Sequence, residues 1–441
     1  MSKIVEINVH HVTRVEGHGN IHVRINDCGV ESVEWQVPEA PRFFEAMVRG
    51  RSWEDIQTVV ARICGICSVT HSLAALKAIE DAMEIEISEQ TEMLRILALY
   101  GEHIESHVLH IGYLVAPDLL GVKSVVPLVT SHPELLKLVI RLHKLGNTMM
   151  EILAGRKTHP ISFRPGGFGR VPTENELREL RKMLVDAIPD YQVLMDAVFG
   201  LADKLPKFER DTEYIALIDH VDYALYNGNI GSSDTTKTMP VQKFKSVVNE
   251  YVVPQSTAKW AKWHRESYAV GALARCNLNS EYLLPLARDV AKKFGLLDGC
   301  CNPYMNTVAQ LVEVAQVVEH GIQLIDQLLT AGVTHNLPKI KPQAGWGAGA
   351  VEAPRGVLFH SYAFDDNGIC TGANMTIPTN QNHANIQHDM EKLVNLIADQ
   401  DEDSIRLQLE MLVRAYDPCI SCSTHYMDIE FIKCGYPPTT H

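Results

Sequence analysis

Two Cys-x-x-Cys pairs carry the strongest chemical signal in the sequence, Cys64-Gly65-Ile66-Cys67 and Cys419-Ile420-Ser421-Cys422. Four soft thiolates suit zinc, iron-sulfur clusters or nickel with iron, and they select these over magnesium or calcium. A zinc ribbon normally sets its two pairs about 15 to 20 residues apart. Here roughly 350 residues intervene, so the sulfurs can meet only if a whole domain folds around them. A thioredoxin-like redox pair at Cys64 and Cys67 would leave the second pair unexplained. Each pair also brings its own neighbours: Arg62 and His71 flank the first, Asp417 and His425 the second. Such groups can donate to sulfur, hold tautomers and tune a metal's electronics. The other six of the ten cysteines, Cys28, Cys276, Cys300, Cys301, Cys370 and Cys434, read as small buried hydrophobes or idle thiols.

Elements able to bring the pairs together are legible in the hydrophobic pattern. Around Asp27-Cys28-Gly29 the alternation of Ile21, Val23 and Ile25 with Val33, Trp35 and Val37 predicts a hairpin. A second hairpin is predicted from Val357–Phe364, the turn Asp365-Asp366-Asn367-Gly368 and Ile369–Ile377. Between them the chain reads mostly helical. Ser88 is the N-cap of a long helix whose stripe runs Met93, Leu97, Tyr100, Ile104, Val108, Ile111 and Val115, and which Pro117 is expected to end. Thr173 and Glu176 form a capping box, and Val308 through Leu329 mark another long, almost wholly apolar-faced helix. Residues 227–254 and 338–354 are richer in Gly, Pro, Ser and Thr without being flexible linkers. The expected fold is therefore α+β and predominantly helical, a long-helix core with small β-hairpins near both termini, in one body over residues 1–425.

With 441 residues, 46% hydrophobic and 21% charged, the chain is an ordinary globular one and large enough for a sizeable core. A net charge of −14 has the wrong sign for tracking a phosphate backbone, so nucleic acid is not an expected partner. No stretch of about 18 apolar residues predicts a membrane span, and the first residues lack the apolar core of a signal peptide, which makes the cytoplasm the expected address.

The extended cysteine motifs, Arg62-Ile-Cys64-Gly-Ile-Cys67-Ser-Val-Thr-His71 and Asp417-Pro418-Cys419-Ile-Ser-Cys422-Ser-Thr-His425, resemble those of the large subunit of nickel-iron hydrogenases. Shorter matches run along nearly the whole chain: Val12-Thr-Arg14-Val-Glu16-Gly-His18-Gly, Gly101-Glu-His103-Ile-Glu-Ser-His107 on to Pro117-Asp118, and Glu352-Ala-Pro354-Arg355-Gly356. The resemblance implies that Cys64 and Cys419 are terminal nickel ligands, and that Cys67 and Cys422 bridge nickel to an iron carrying carbon monoxide and cyanide. It implies that Arg355 overhangs the open face of the metals, with Asp118, Pro354 and Asp417 completing that canopy and Thr379 donating to a cyanide. Glu16 would be the first stop for the departing proton, His71 a histidine supporting the site from behind the ligands, and Glu45 with His425 the side-chain ligands of a magnesium ion. Further implied are an iron-sulfur small subunit, further flavin or disulfide-reductase type electron-transfer subunits of the soluble cytoplasmic branch, H2 as substrate, and removal of residues 426–441 during maturation. Two relatives stand as alternatives: the quinone-site subunit of respiratory complex I, which usually lacks the four cysteines, and a hydrogen-sensing hydrogenase, which keeps them.

Taken alone, several of these residues have plainer readings. Glu16 in a Gly-rich turn is otherwise a surface acid and Arg355 a loop arginine. His103, His107 and His110 could ligate a metal, but their spacing fits histidines satisfied in a packed interior better. Gly166-Gly167-Phe168-Gly169 lacks the Lys-Ser/Thr of a phosphate loop and reads as backbone permissiveness.

Overall fold

The computed structural model describes residues 5–424. Long helices form the interior. Ser88 caps the helix Glu89–Leu109 by accepting from the Thr91 N–H, and that helix packs against Pro133–Ala154 and Asn306–Ala331. Thr173 and Glu176 complete the expected capping box at the start of Glu174–Leu201. Pro117 does not end its helix. A π-helical turn, His110–Val115, follows Leu109, and the chain continues helically over Ala116–Leu119 with Pro117 in its first turn. A proline lacks an N–H and would clash inside an α-helix, and in a first turn that donor is not needed.

The predicted hairpins form as Asn20–Asn26 with Gly29–Gln36 and as Gly356–Phe364 with Cys370–Thr376. Each gains a third strand that the periodicity does not announce, Val5–Val9 on the first and Gly345–Ala353 on the second. The middle of the chain is also not purely helical. Strands Glu213–Ile218, Asn229–Ser232, Thr235–Met239 and Tyr268–Ala269 build a four-stranded sheet, and Asn249–Val253 pairs with Ser256–Lys262. Little alternation announces them, because Glu213–Ile218 is buried on both faces and the pairings of Asn229–Ser232 with Thr235–Met239 and of Asn249–Val253 with Ser256–Lys262 carry register shifts.

The strand Gly345–Ala353 shows what its glycines are for. A Cβ on Gly347 would lie 2.2 Å from the Ala82 nitrogen, and one on Gly349 2.5 Å from the Ala74 carbonyl oxygen. Alternate residues of the strand thus let its backbone lie directly on the helix Ser68–Met83, which follows Cys67. The same strand ends at the turn that carries Arg355, so this contact sets the first cysteine pair against that arginine. Gly349→Val should force the helix off the sheet and cost several kcal/mol, beyond the ~1–3 of ordinary overpacking because backbone atoms are the obstacle. A thermal-unfolding midpoint unchanged within about 2 °C would contradict this.

Candidate metal centre

The two cysteine pairs meet. Cys419 Sγ lies 3.6 Å from Cys64 Sγ and 2.8 Å from Cys422 Sγ, and ligand atoms from all four cysteines fall within 4.8 Å of one another. All four are buried. The first pair sits in the turn that enters the helix Ser68–Met83, where the Cys67 N–H donates to Cys64 Sγ. The fully buried Glu102, from the helix Glu89–Leu109, supports that turn. Its carboxyl accepts from the N–H groups of Val69 (2.6 Å) and Thr70 (3.1 Å) and from the Thr70 hydroxyl. Burial lifts its pKa to about 8 against these donors.

The second pair is placed by contacts from three distant segments. Cys419 N–H donates to the Thr379 hydroxyl oxygen at 3.0 Å, from the first turn of the helix Pro378–Ile397. Ile420 N–H donates to the Glu16 carbonyl, and the Glu16 carboxylate accepts from Ser421 through both its N–H (3.2 Å) and its hydroxyl. Gly17 is required beside it, since a Cβ there would stand 2.7 Å from both Ile420 Cβ and Ser421 N. A second carboxyl, Glu39, lies against the same turn, its pKa raised by burial and by the Glu16 charge.

Arg355 occupies the hairpin turn between Gly345–Ala353 and Gly356–Phe364, just after Pro354. Its Nε donates to the Asp417 carbonyl (2.7 Å) and its Nη2 to Asp417 Oδ1 (3.0 Å), while Nη1 is buried with no hydrogen-bond partner among the described residues. Asp417 adopts φ +48°, a left-handed conformation uncommon for a non-glycine residue. Strained backbone of this kind gathers at functional sites. Burial acts to lower the Arg355 pKa, but Asp417 and the cysteine sulfurs outweigh it and hold the guanidinium charged.

Four sulfurs this close cannot all ionise unless positive charge is placed among them. In the cluster by itself, thiol donors from Cys419, Cys422 and Cys67 favour the thiolate of Cys64, while Cys67 and Cys419 are pushed well above the usual thiol range. A buried all-sulfur set with a charged, half-satisfied guanidinium beside it fits soft cations and an anionic or polarisable group in front of Arg355 Nη1.

The remaining expected residues fall at different distances from this cluster. His71 is buried one turn along the helix from Cys67. Its Nδ1 is 3.1 Å from His360 Nε2, and His360 Nδ1 is 2.6 Å from the Tyr362 hydroxyl. Asp118 is held by Arg414 (Nε 2.7 Å, Nη2 2.9 Å) and by Arg14 instead of by Arg355. The two groups are joined indirectly: Gln310 donates to Asp417 Oδ2 and contacts His110 Nδ1, whose Nε2 meets the Arg414 carbonyl. Glu45 is nearly buried on the wall of a cavity of about 770 Å³ with Arg49, Lys259 and Tyr362, accepts from Met375 N–H at 2.7 Å, and has its pKa raised to about 7 by burial. His425 lies outside the described residues. Thr424, the last described residue, accepts from the Arg42 N–H three positions before Glu45.

The helix histidines sit in the interior. His107 Nε2 pairs with Glu313 at 2.7 Å, and His103 Nδ1 meets the Leu99 carbonyl. His103, His107 and Glu313 converge as a metal site would. Both Glu313 oxygens are taken by the Arg275 guanidinium, however, and that charge opposes a cation there. Arg275, Gln310 and Glu39 fall outside every motif quoted from the sequence, and Glu102 lies within the Gly101–His107 match without being singled out there. Gln310 and Glu313, three apart on the buried face of the helix Asn306–Ala331, are the one hint.

Four buried cysteines from opposite ends of the chain, converging near a charged arginine, define a soft-metal site, and similarity to known proteins specifies it. A family profile described as Nickel-dependent hydrogenase matches residues 42–135 and 211–425, and one described as HoxL-like matches 6–40. The alpha chain of Sulfhydrogenase 1 from Pyrococcus furiosus is 33% identical over 95% of this chain and 97% of its own length. A component of the F420-non-reducing hydrogenase vhu of Methanococcus voltae is 30% identical over 89% of this chain and 99% of its own. Among solved structures, an NAD+-reducing NiFe-hydrogenase in the H2-reduced state superposes with a TM-score of 0.81 at 26% identity, covering 96% of this chain and 99% of that one. A NiFeSe-hydrogenase of Dm. baculatum, at 21% identity and a TM-score of 0.76, shares the fold over 96% of this chain and 100% of its own. The chain belongs to the nickel-dependent hydrogenase family, and it is a hydrogenase large subunit.

Proposed function

We propose that this protein carries out reversible heterolytic H2 oxidation, in which Cys64 and Cys419 would hold nickel, and Cys67 and Cys422 would hold nickel together with an iron that would carry carbon monoxide and cyanide. The observation that carries this reading is the convergence of the four buried sulfurs, within electrostatic reach of an Arg355 guanidinium whose Nη1 has no partner among the described residues. When bound, the metal pair supplies Lewis acidity that makes H2 acidic enough to part with a proton and leave its electron pair behind. Arg355, held charged by Asp417, keeps Nη1 free of protein partners among the described residues, and with the metals bound that donor would be available to orient H2 or to donate to a cyanide. Because the guanidinium stays protonated, the Cys419 sulfur is the better first proton acceptor. Thr379 accepts from the Cys419 N–H, which leaves its own hydroxyl proton to donate, and with the iron bound it would reach the other cyanide.

From Cys419 the proton passes to Glu16, which is half-buried and bonded to the same turn, and Glu39 offers a second carboxyl further out. Glu16→Gln should retain nickel and iron while losing most turnover together with H/D exchange. Unchanged exchange would remove Glu16 from the route. His71 supports the first pair through its link to His360, and Glu45 together with His425 would hold magnesium through the segment that Thr424 brings near Arg42.

The electrons need an outlet. Among the described residues no third group of cysteines is gathered to hold an iron-sulfur cluster. An iron-sulfur small subunit, feeding flavin or disulfide-reductase type subunits, would receive them in the cytoplasm. No helix of the described residues is long and apolar enough to cross a membrane. Residues 426–441 would be a maturation tail, and intact-mass measurement on active protein tests its removal. The test of the central reading is elemental analysis of the purified complex with infrared bands for bound diatomics. Nickel and iron near one each per chain are expected, and a protein saturated with zinc alone would overturn it.

A further inference from the structure

Arg275 lies on the helix Ala272–Asn279, fully buried and far from the cysteines in sequence. A guanidinium has five N–H groups in a fixed fork, and here every one is engaged. Nε and one hydrogen of Nη2 go to the two oxygens of Glu313 (2.6 and 2.7 Å), and one hydrogen of Nη1 goes to Glu352 Oε2 (2.8 Å). The other two go to main-chain carbonyls, Nη1 to Ala353 O (2.8 Å) and Nη2 to Pro354 O (3.0 Å). Those carbonyls are the two that immediately precede Arg355. In a tight turn of buried backbone containing a proline, they have few other donors to turn to.

Both ends of the clamp are anchored. Glu313 is also held by Tyr223 at 2.7 Å and His107 at 2.7 Å, and Glu352 accepts from the Leu217 N–H at 2.8 Å. The charge arithmetic agrees with the geometry. One cation serves two carboxyls: Glu313 is pulled well below the usual range by Arg275 despite burial, while burial pushes Glu352 up to about 7. On the other side of the turn, the hydrogen bonds of the Arg355 guanidinium among the described residues go to two oxygens of Asp417, which would tether it loosely if the turn could rock.

We infer that Arg275 is a positioning residue for the reaction, fixing the Ala353-Pro354 carbonyls so that the Arg355 guanidinium keeps its place beside Asp417, with Nη1 left free, near the cysteine cluster. This inference rests on the proposed role of Arg355. A lysine offers three donors from one point and cannot span two carboxyls and two carbonyls at once.

The test uses the purified complex, small subunit included, with the variants Arg275→Lys, Arg355→Lys and their combination. Arg275→Lys should keep its nickel, iron and KM for H2 and lower kcat by about 10- to 100-fold, the range typical of residues that support a metal site from behind its ligands. Backbone amides at 355–357 should exchange faster with deuterium. The double variant should be no slower than Arg355→Lys alone, because one residue acts through the other. Losses that multiply in the double variant, wild-type kcat in Arg275→Lys, or activity lost only in step with metal content would each overturn the inference. If Arg355→Lys itself keeps full turnover, the proposed role of Arg355 fails instead. Should Arg275→Lys not accumulate in soluble form, the charge-neutral pair Arg275→Met with Glu313→Gln is judged by the same criteria.

Discussion

Cys67→Ser should yield a folded chain that holds almost no nickel or iron and turns over H2 at least ~10³-fold more slowly, a loss of about 4 kcal/mol of transition-state stabilisation at 1.36 kcal/mol per decade. Serine is close to cysteine in shape, and the turn around position 67 is held by groups that the substitution leaves alone: the Cys67 N–H bond to Cys64 Sγ, the Glu102 carboxyl on the Val69 and Thr70 N–H groups, and the packing of Ser68–Met83 on the glycine-lined strand. The chemistry changes far more than the volume. A thiol is ionised by adjacent cations and is a soft donor, whereas a hydroxyl resists ionisation near neutral pH and is hard. A bridging sulfur would serve both metals, so its loss is felt twice. The comparison is Cys276→Ser, a buried cysteine outside the cluster whose pKa burial raises to about 12. It should keep both metals. Metal analysis and H2-dependent dye reduction on the two variants read this directly, and full nickel in Cys67→Ser would refute the assignment.

Arg355→Lys has the second-largest expected effect: metals retained, stability little changed, and kcat reduced by about 10²- to 10³-fold, the usual consequence of removing a preorganised donor at the reacting centre. The geometry separates the arginine's two jobs. Nε and Nη2 bind Asp417, which a lysine ammonium can still do, so the buried charge keeps its counterion and the turn its anchor. Nη1 has no partner among the described protein groups, and lysine cannot place a donor there while bonding Asp417. The effect should therefore fall on kcat more than on KM. A variant within about threefold of wild-type turnover would assign Arg355 to structure alone.

The route from residues to site is uneven, for identifiable reasons. The π-helical turn at His110–Val115 is unreadable because a π turn preserves an apolar stripe and shows no local signature, so Pro117 reads as a terminus when it opens the next helical turn. The strand Gly345–Ala353 is hidden among glycines whose purpose is a backbone approach to a helix more than 250 positions away in sequence. Asp118, expected around the metals, spends its carboxylate on Arg14 and Arg414, which are distant from it in sequence as well.

Legible in the residues alone are the donor set and its softness, the neighbours carried with each cysteine pair, the two hairpins and the capped long helices, all local facts set by residue type and short spacing. The family is legible only through the resemblance of the motifs. Tertiary structure alone decided that the four sulfurs come within reach of one another, that Glu16 lies against Ser421, that Arg355 keeps one donor unspent, and that Arg275 grips the turn before it. Those facts join residues tens to hundreds of positions apart. Their geometry is set by packing and by the requirement that each buried polar group find a partner, which no short window of sequence records.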